Sequence, residues 1–377
     1  MTRPTTTGKA QDLITFTRST TGTYLGSDGL LKSAAIDEAR IEYDASGNCL
    51  GLLVEEEKTN LLAYSAVTEG GWGQSGSTNT NRNDNVLGVF SGLNVVSNGQ
   101  TWNRATIGAT LVSGNTYATT VFYKEGTAEN VRITCRANGA ESTIGGQAGS
   151  LNVGGEYAGP LTLLNEEDYG GIRKVTFLWV PGSSSGVSFG IGPNSDVSGE
   201  SVIAYGAQIE SGSFPTSYIP TSGSAVTRAA DVASLAVSEF GYNQGQGSLF
   251  VYANAPDGSN ENRLTQLVTN GGSSNRVVDL HRDINSISMY NGTSTLTGGT
   301  FDASNDIKAA GVYKSGSYAL VSDGGSTVTN SDTTVNTPDT LMLGANGSSA
   351  RQLNGHIKSI QYYPLRLSNA QLQALTV

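Results

Sequence analysis

The chain has 377 residues, room for two or three modules of ~100–200 residues each. Only 14% of its residues are charged and 49 are glycine, the composition of many short strands joined by many turns. The formal net charge of −10, with no clustered cations, argues against nucleic acid and against anionic membrane surfaces as partners, and no run of 18 apolar residues is present to insert in a bilayer.

The N-terminal stretch MTRPTTTGKAQDL lacks an apolar core, so no secretory signal is expected there and assembly in the cytoplasm is the expectation. Alternation of apolar with polar residues begins at Leu13–Thr17 and returns at Thr116–Tyr123, Asn130–Arg136, Lys174–Val180 and Ser248–Ala253. Between these runs lie turn clusters at Ser27-Asp28-Gly29, Ser46-Gly47-Asn48, Gly182 to Gly186 and Asp323-Gly324-Gly325. Strands about six residues long with a turn signal every ten or so positions predict an all-β chain of antiparallel sandwiches. Pro215 and Pro220 force an extended segment and suggest a boundary near residue 220. The expected division is an N-terminal attachment segment over 1–65, a first sandwich over 66–220, a linker or first strand over 221–236, and a second sandwich over 237–377. One helix is predicted at the end, where Ser368 and Gln371 have capping-box spacing and Leu372 and Leu375 share a face.

Chemistry-bearing patterns are sparse. Cys49, Cys135, His281 and His356 are too few for a disulfide framework or a thiolate or histidine metal site, and no cofactor is expected. Oxygen-rich stretches at Asn194–Asp196 and Asp302–Asp306 would suit calcium, but without EF-hand spacing. Glu55-Glu56-Glu57 and Glu166-Glu167-Asp168 are dense in carboxylate, yet neighbours on a strand point to opposite faces and such a run reads as a solvated strand end. No nucleophile elbow and no zinc-protease motif occurs. A chain without enzymatic activity is therefore the expectation. Trp72 and Trp102 stand in polar, glycine-rich surroundings, either closing a sandwich end or offering a flat ring to a sugar. Trp179 alternates with Val175 and Phe177 and reads as core. Near Tyr290, in loops around 270–275, 281–285 and 346–351, Arg276 and Arg282 would either pair with Asp279 and Asp283 or grip an acidic ligand.

The string GAQIESGSFPTSYIPTSGSAVTRAADV (Gly206 to Val232) resembles a segment common in bacteriophage tail fibre and spike proteins, and LITFTRSTTGTYLGSDGLL and LGLLVEEEKTNLLAYS are similar to their opening. In those proteins a carbohydrate-binding-module-like jelly roll follows. IKAAGVYKSGSYALV from Ile307, LMLGANGS from Leu341 and LNGHIKSIQYYPLRLSNAQLQAL from Leu353 resemble a concanavalin A-like, laminin-G-type sandwich. The resemblance implies a virion protein that recognises a host cell-surface glycan, binds phage tail or capsid proteins through its N-terminus and assembles as a homotrimer. A polysaccharide depolymerase and a purely structural appendage are the alternatives. With the N-terminus as the attachment point, residues 1–12 form an arm, and Phe16, Tyr24 and Leu30 are expected to pack in the first β unit.

Overall fold

In the strand Val131–Ala137 the side chains of Val131, Ile133 and Cys135 are buried, while Arg132 and Arg136 face the other way. That is the pattern of a strand with one face on a core. The strands Tyr117–Glu125 and Ser201–Ser211 are instead buried along nearly their whole length, because other parts of the chain cover their outer face. The computed structural model describes residues 13–68, 70–82, 84–255, 262–269, 275–283, 285–300, 306–348 and 350–377. Strand accounts for 51% of the chain and helix for 3%. The protein is all-β, with two antiparallel sandwiches.

The first sandwich pairs two six-stranded sheets. One runs, in spatial order, Asn152–Glu156, Ala140–Gly146, Val131–Ala137, Ser188–Pro193, Arg104–Gly108 and Gly73–Ser75. The other runs Leu161–Asp168, Arg173–Trp179, Tyr117–Glu125, Ser201–Ser211, Leu93–Ser97 and Ser77–Asn81. Ile133, Phe189 and Ile191 from one sheet meet Val121, Phe177 and Trp179 from the other in a single core.

The second sandwich pairs two seven-stranded sheets, and here the expected boundaries need correction. The described part of the expected 1–65 attachment segment, residues 13–65, is not a separate unit. Thr15–Thr17 forms the edge of one sheet, pairing with Val232–Ala236, and Cys49–Val54 and Ile41–Tyr43 extend the other beyond Gly355–Tyr363. Phe16, Leu52 and Val54 join Leu249, Leu264, Leu280 and Met289 in the second core. Phe16 therefore packs far along the chain from where it was expected, and Leu30 is 43% exposed. Gly51 is needed at this seam: with φ +116, its backbone lies so near Ile357 that a Cβ would sit 2.3 Å from the Ile357 carbonyl oxygen. The stretch 221–236 is no linker either, since Val226–Arg228 pairs with Lys58–Asn60 and Val232–Ala236 lies inside a sheet. The expected arm over 1–12 lies outside the described residues.

Where the two sandwiches and the N-terminal strands meet, five charged side chains are almost wholly buried. Arg18 Nη1 lies 3.1 Å from Asp231, Arg40 Nη2 lies 2.7 Å from Glu55 and also bonds Asp231, and Arg228 lies 3.4 Å from Glu55. Ser217 donates to Glu55 through both its backbone N–H and its hydroxyl, each at 2.7 Å. Burial opposes the charge on Glu55, but Arg228, Arg40 and the Ser217 bonds outweigh it and hold its carboxyl down at about 2. The run at Glu55 is thus not a solvated strand end: its first carboxylate is the centre of an inter-sandwich clasp. Every string that carries the phage-protein resemblance contributes to it, Arg18 from the opening, Glu55 from LGLLVEEEKTN, and Ser217, Arg228 and Asp231 from the segment after Gly206. Beside it Phe90, Phe122 and Tyr218 pack with ring centroids 4.9–5.8 Å apart.

The terminal helix, Asn369–Thr376, has the expected capping box, with Gln371 N donating to Ser368 Oγ and Ser368 N to Gln371 Oε1. It buries Leu372 against Phe250, Val312 and Val321, sealing the outer face of one sheet.

Candidate functional site

The five residues singled out from sequence fall in three different settings. Trp72 donates Nε1–H to the Tyr64 carbonyl at 3.0 Å and meets Phe189 edge-on at 6.3 Å, so it closes the first core. Trp102 is 49% exposed and its ring lies across Gly76. In the second sandwich Arg276 pairs with the buried Asp279 at 3.1 Å and stacks over Tyr290 at 5.3 Å, and the Tyr290 hydroxyl donates to Gly292 O. Asp279 also holds Arg263 at 3.1 Å, which ties Arg276 into a structural charge group. Arg282 is only 2% exposed, so the expectation that it reaches a polymeric ligand is corrected. Its strand, Val278–Arg282, is buried throughout, and alternation puts Arg282 on the face of Val278 and Leu280, which is turned to the second core. Arg282→Ala is expected to lower the melting temperature by about 5 °C or more, the shift for losing ~2 kcal/mol of buried polar contact in a domain of this size. A calorimetric scan checks this; an unchanged transition would show the side chain to be dispensable. The loop residues 270–274, 284, 302–305 and 349 lie outside the described residues. Among the described residues no group of three His, Cys, Asp or Glu gathers around a common point.

A cationic face that was not singled out lies on the first sandwich, on the outer side of the sheet containing Val131–Ala137. Alternation sends Arg132, Thr134 and Arg136 to that side, and register sets Arg136 directly opposite Glu141 and Thr134 opposite both Gly190 and Thr143. Arg104, on the strand Arg104–Gly108, crosses the sheet over Gly190 and reaches Glu141 with Nη1 at 2.9 Å. A Cβ at residue 190 would lie 2.8 Å from Arg104 Cδ and 2.8 Å from Thr134 Oγ1, so only glycine leaves room for that path. Arg136 Nε stands 3.6 Å from the same carboxylate. Two guanidinium groups therefore share one carboxylate, and Arg132 on the same face feels its field.

The electrostatics leave this face short of anions. Burial lowers the basicity of Arg104; Glu141 offsets this while Arg136 and Arg132 add to it. Arg132 is lowered by burial as well, with Glu141 opposing. Among the described residues none accepts a hydrogen bond from Arg132 Nε or Nη2, or from the buried hydroxyl of Thr134. Buried donors without a protein acceptor are costly unless water or a ligand supplies the oxygen. Trp102 stands at the same end of the sheet, two residues before Arg104, whose partner across the edge is Ser75. The outward Arg-Thr-Arg spacing was readable in VRITCRA, but Arg104 and Glu141 come from other strands and only register brings them in.

No family model matches the chain, and no curated protein matches it. Similar solved structures include the CBM40 of Ruminococcus gnavus IT-sialidase bound to α2,3-sialyllactose, at 20% identity and TM-score 0.32 over 36% of this chain and 84% of that one. Mouse laminin α1 domains LG4-5 are 10% identical over 70% of this chain and 86% of that one, with TM-score 0.26. Trypanosoma rangeli sialidase is 11% identical, with TM-score 0.31 over 81% of this chain; the chain spans 62% of that protein's length. The expectation of a chain without enzymatic activity is corrected by the presence of sialidases among these structures.

Proposed function

We propose that the protein recognises an acidic host-surface polysaccharide, and that the arginine face of the first sandwich is where it does so. The observation that carries this reading is Arg132, whose buried Nε and Nη2 have no acceptor among the described residues, on the same outward face as Arg104 and Arg136 in a chain of net charge −10. A carboxylate fits a guanidinium fork with two parallel hydrogen bonds, and the exposed Trp102 ring offers a flat apolar surface to a neighbouring sugar. The virion setting belongs to the same reading: an appendage of a phage particle, joined to tail or capsid proteins through its N-terminus and assembled as a homotrimer, so that several weak sites act together. It is supported by the motif strings, not by a matching relative.

Replacing Arg132 and Arg136 together by alanine should weaken binding to a polyuronate at least tenfold, since each charge-assisted bond contributes about 1.5–3 kcal/mol. Wild-type binding should fall as salt rises from 50 to 500 mM, while any binding of a neutral glucan stays constant. Titration calorimetry reads both. Undiminished affinity in the double variant would move recognition away from this face.

A further inference from the structure

A second concavity lies where the N-terminal strands meet both sandwiches, away from the arginine face. Its outer part is a cleft of about 330 Å³, walled by Glu42 and Tyr43 from one N-terminal strand, Glu167, Tyr169 and Lys174 from the first sandwich, and His356 from the second. Composite clefts at domain junctions are the usual places for small ligands. His356 Nε2 and Glu42 Oε2 are 2.7 Å apart, Tyr169 donates to Glu167 at 2.7 Å, and Lys174 Nζ stands 3.2 Å from Glu167. Burial opposes the Lys174 charge, yet Tyr169, Glu167 and Glu42 around it hold its ammonium above the ordinary range. With Asp44 also at the rim, carboxylates outnumber the permanent cation, and a ligand bearing an acidic group is disfavoured.

Adjoining the cleft is a recess of about 50 Å³ that shares Leu25, Glu42, Tyr169 and Lys174 with it. Leu31, Leu87, Phe122 and Tyr218 make most of the recess wall apolar. A buried polar group there is unused: Thr120 is 3% exposed, it lines the recess, and its hydroxyl has no hydrogen-bond partner among the described residues. A small space with greasy walls and a buried spare hydroxyl suits a group with one methyl and one carbonyl. The cleft outside it, rich in acceptors and with an ammonium donor, suits several hydroxyls.

We propose that cleft and recess together form a second saccharide site, for an uncharged hexose unit carrying a small acyl group, N-acetyl being the case that fits. The acyl carbonyl accepts from Thr120 Oγ1, the methyl packs against Leu31, Leu87 and Phe122, and ring hydroxyls donate to Glu42 and Glu167. This site is built from residues separate from those of the acidic-glycan reading.

Titration of the full chain with N-acetylglucosamine, glucosamine, glucose and glucuronate, followed by saturation-transfer NMR, tests it. N-acetylglucosamine should bind best, with the strongest transfer at the acetyl methyl, and glucuronate should not bind. Thr120→Val keeps the shape and removes the hydroxyl, so it should leave the fold intact and weaken N-acetylglucosamine about fivefold, the factor a neutral hydrogen bond supplies. Leu31→Phe should fill the recess and abolish binding. The Arg132/Arg136 double alanine variant should bind N-acetylglucosamine as the wild type does, which separates this site from the arginine face. Equal binding of glucose and N-acetylglucosamine, or full affinity in Thr120→Val, would overturn the proposal and leave the recess as a site for water.

Discussion

Arg40→Ala is expected to destabilise the whole molecule by about 3–5 kcal/mol, the range for removing one partner from a buried ion pair. Arg40 is fully buried and bonds Glu55, Asp231 and Ser217 at once, so its removal takes a cation from two buried carboxylates and leaves Glu55 with Arg228 and Asp231 with Arg18 and the more distant Arg228. A domain is stable by only ~5–15 kcal/mol, so the loss is a large share of the total. The effect should reach both sandwiches, since Glu55 lies in the N-terminal part while Ser217 and Asp231 follow the first sandwich. Urea unfolding followed by tryptophan fluorescence and by circular dichroism reads it; a midpoint within error of wild type would show that the clasp is not a stabilising unit. The same geometry sets an acid limit. Glu55 has a folded value of about 2 against an ordinary 4.5, so its contribution is complete above 4.5 and disappears as pH falls from there through 2. That shift is worth of order 3 kcal/mol. Replacing Glu55 by Gln should remove the steepest part of the acid transition while lowering stability at pH 7. The opposite sign, with the variant more acid-labile than the wild type, would contradict the assignment.

The second large effect concerns the N-terminal strands. A fragment of residues 237–377 is expected not to fold, although it contains all of the laminin-G-like strings. Without the preceding chain, one of its sheets loses Thr15–Thr17 and Val232–Ala236, and the other loses Ile41–Tyr43 and Cys49–Val54. The core loses Phe16, Leu52 and Val54. Burying each such side chain contributes ~1.5–3 kcal/mol, so the three together match the stability of an ordinary domain. The freshly bared strand edges would also favour aggregation. The fragment should show no cooperative thermal transition, whereas residues 13–377 should melt cooperatively. A sharp transition in 237–377 with intact near-ultraviolet dichroism would mean the N-terminal strands are ornament.

These two effects share an origin with the functional sites: chain segments far apart in sequence complete one another. Arg104 needs Glu141 from another strand and a bare Gly190 between them, and Thr120 becomes a recess wall only because Leu31 and Tyr218 fold over its sheet. In both places the residues are ordinary in their local sequence context. Arg282 shows the converse, a cation that reads as exposed beside Asp283 and is buried because it shares the core-facing side of its strand with Val278 and Leu280.

What the sequence determined by itself is what local chemistry decides. Alternation set the strands because a pleated chain with one buried face must alternate. Glycine and asparagine clusters placed the turns, and Ser368 with Gln371 placed the helix start, since orphan amides need nearby acceptors. Tertiary structure alone decided which strands share a sheet, where the units end and which charges are buried. Strand pairing is a matter of register between distant segments, and burial depends on what covers a residue. Neither is written in a residue's own neighbourhood, and so Glu55, with the solvated look of a strand end, proves to be the centre of the clasp.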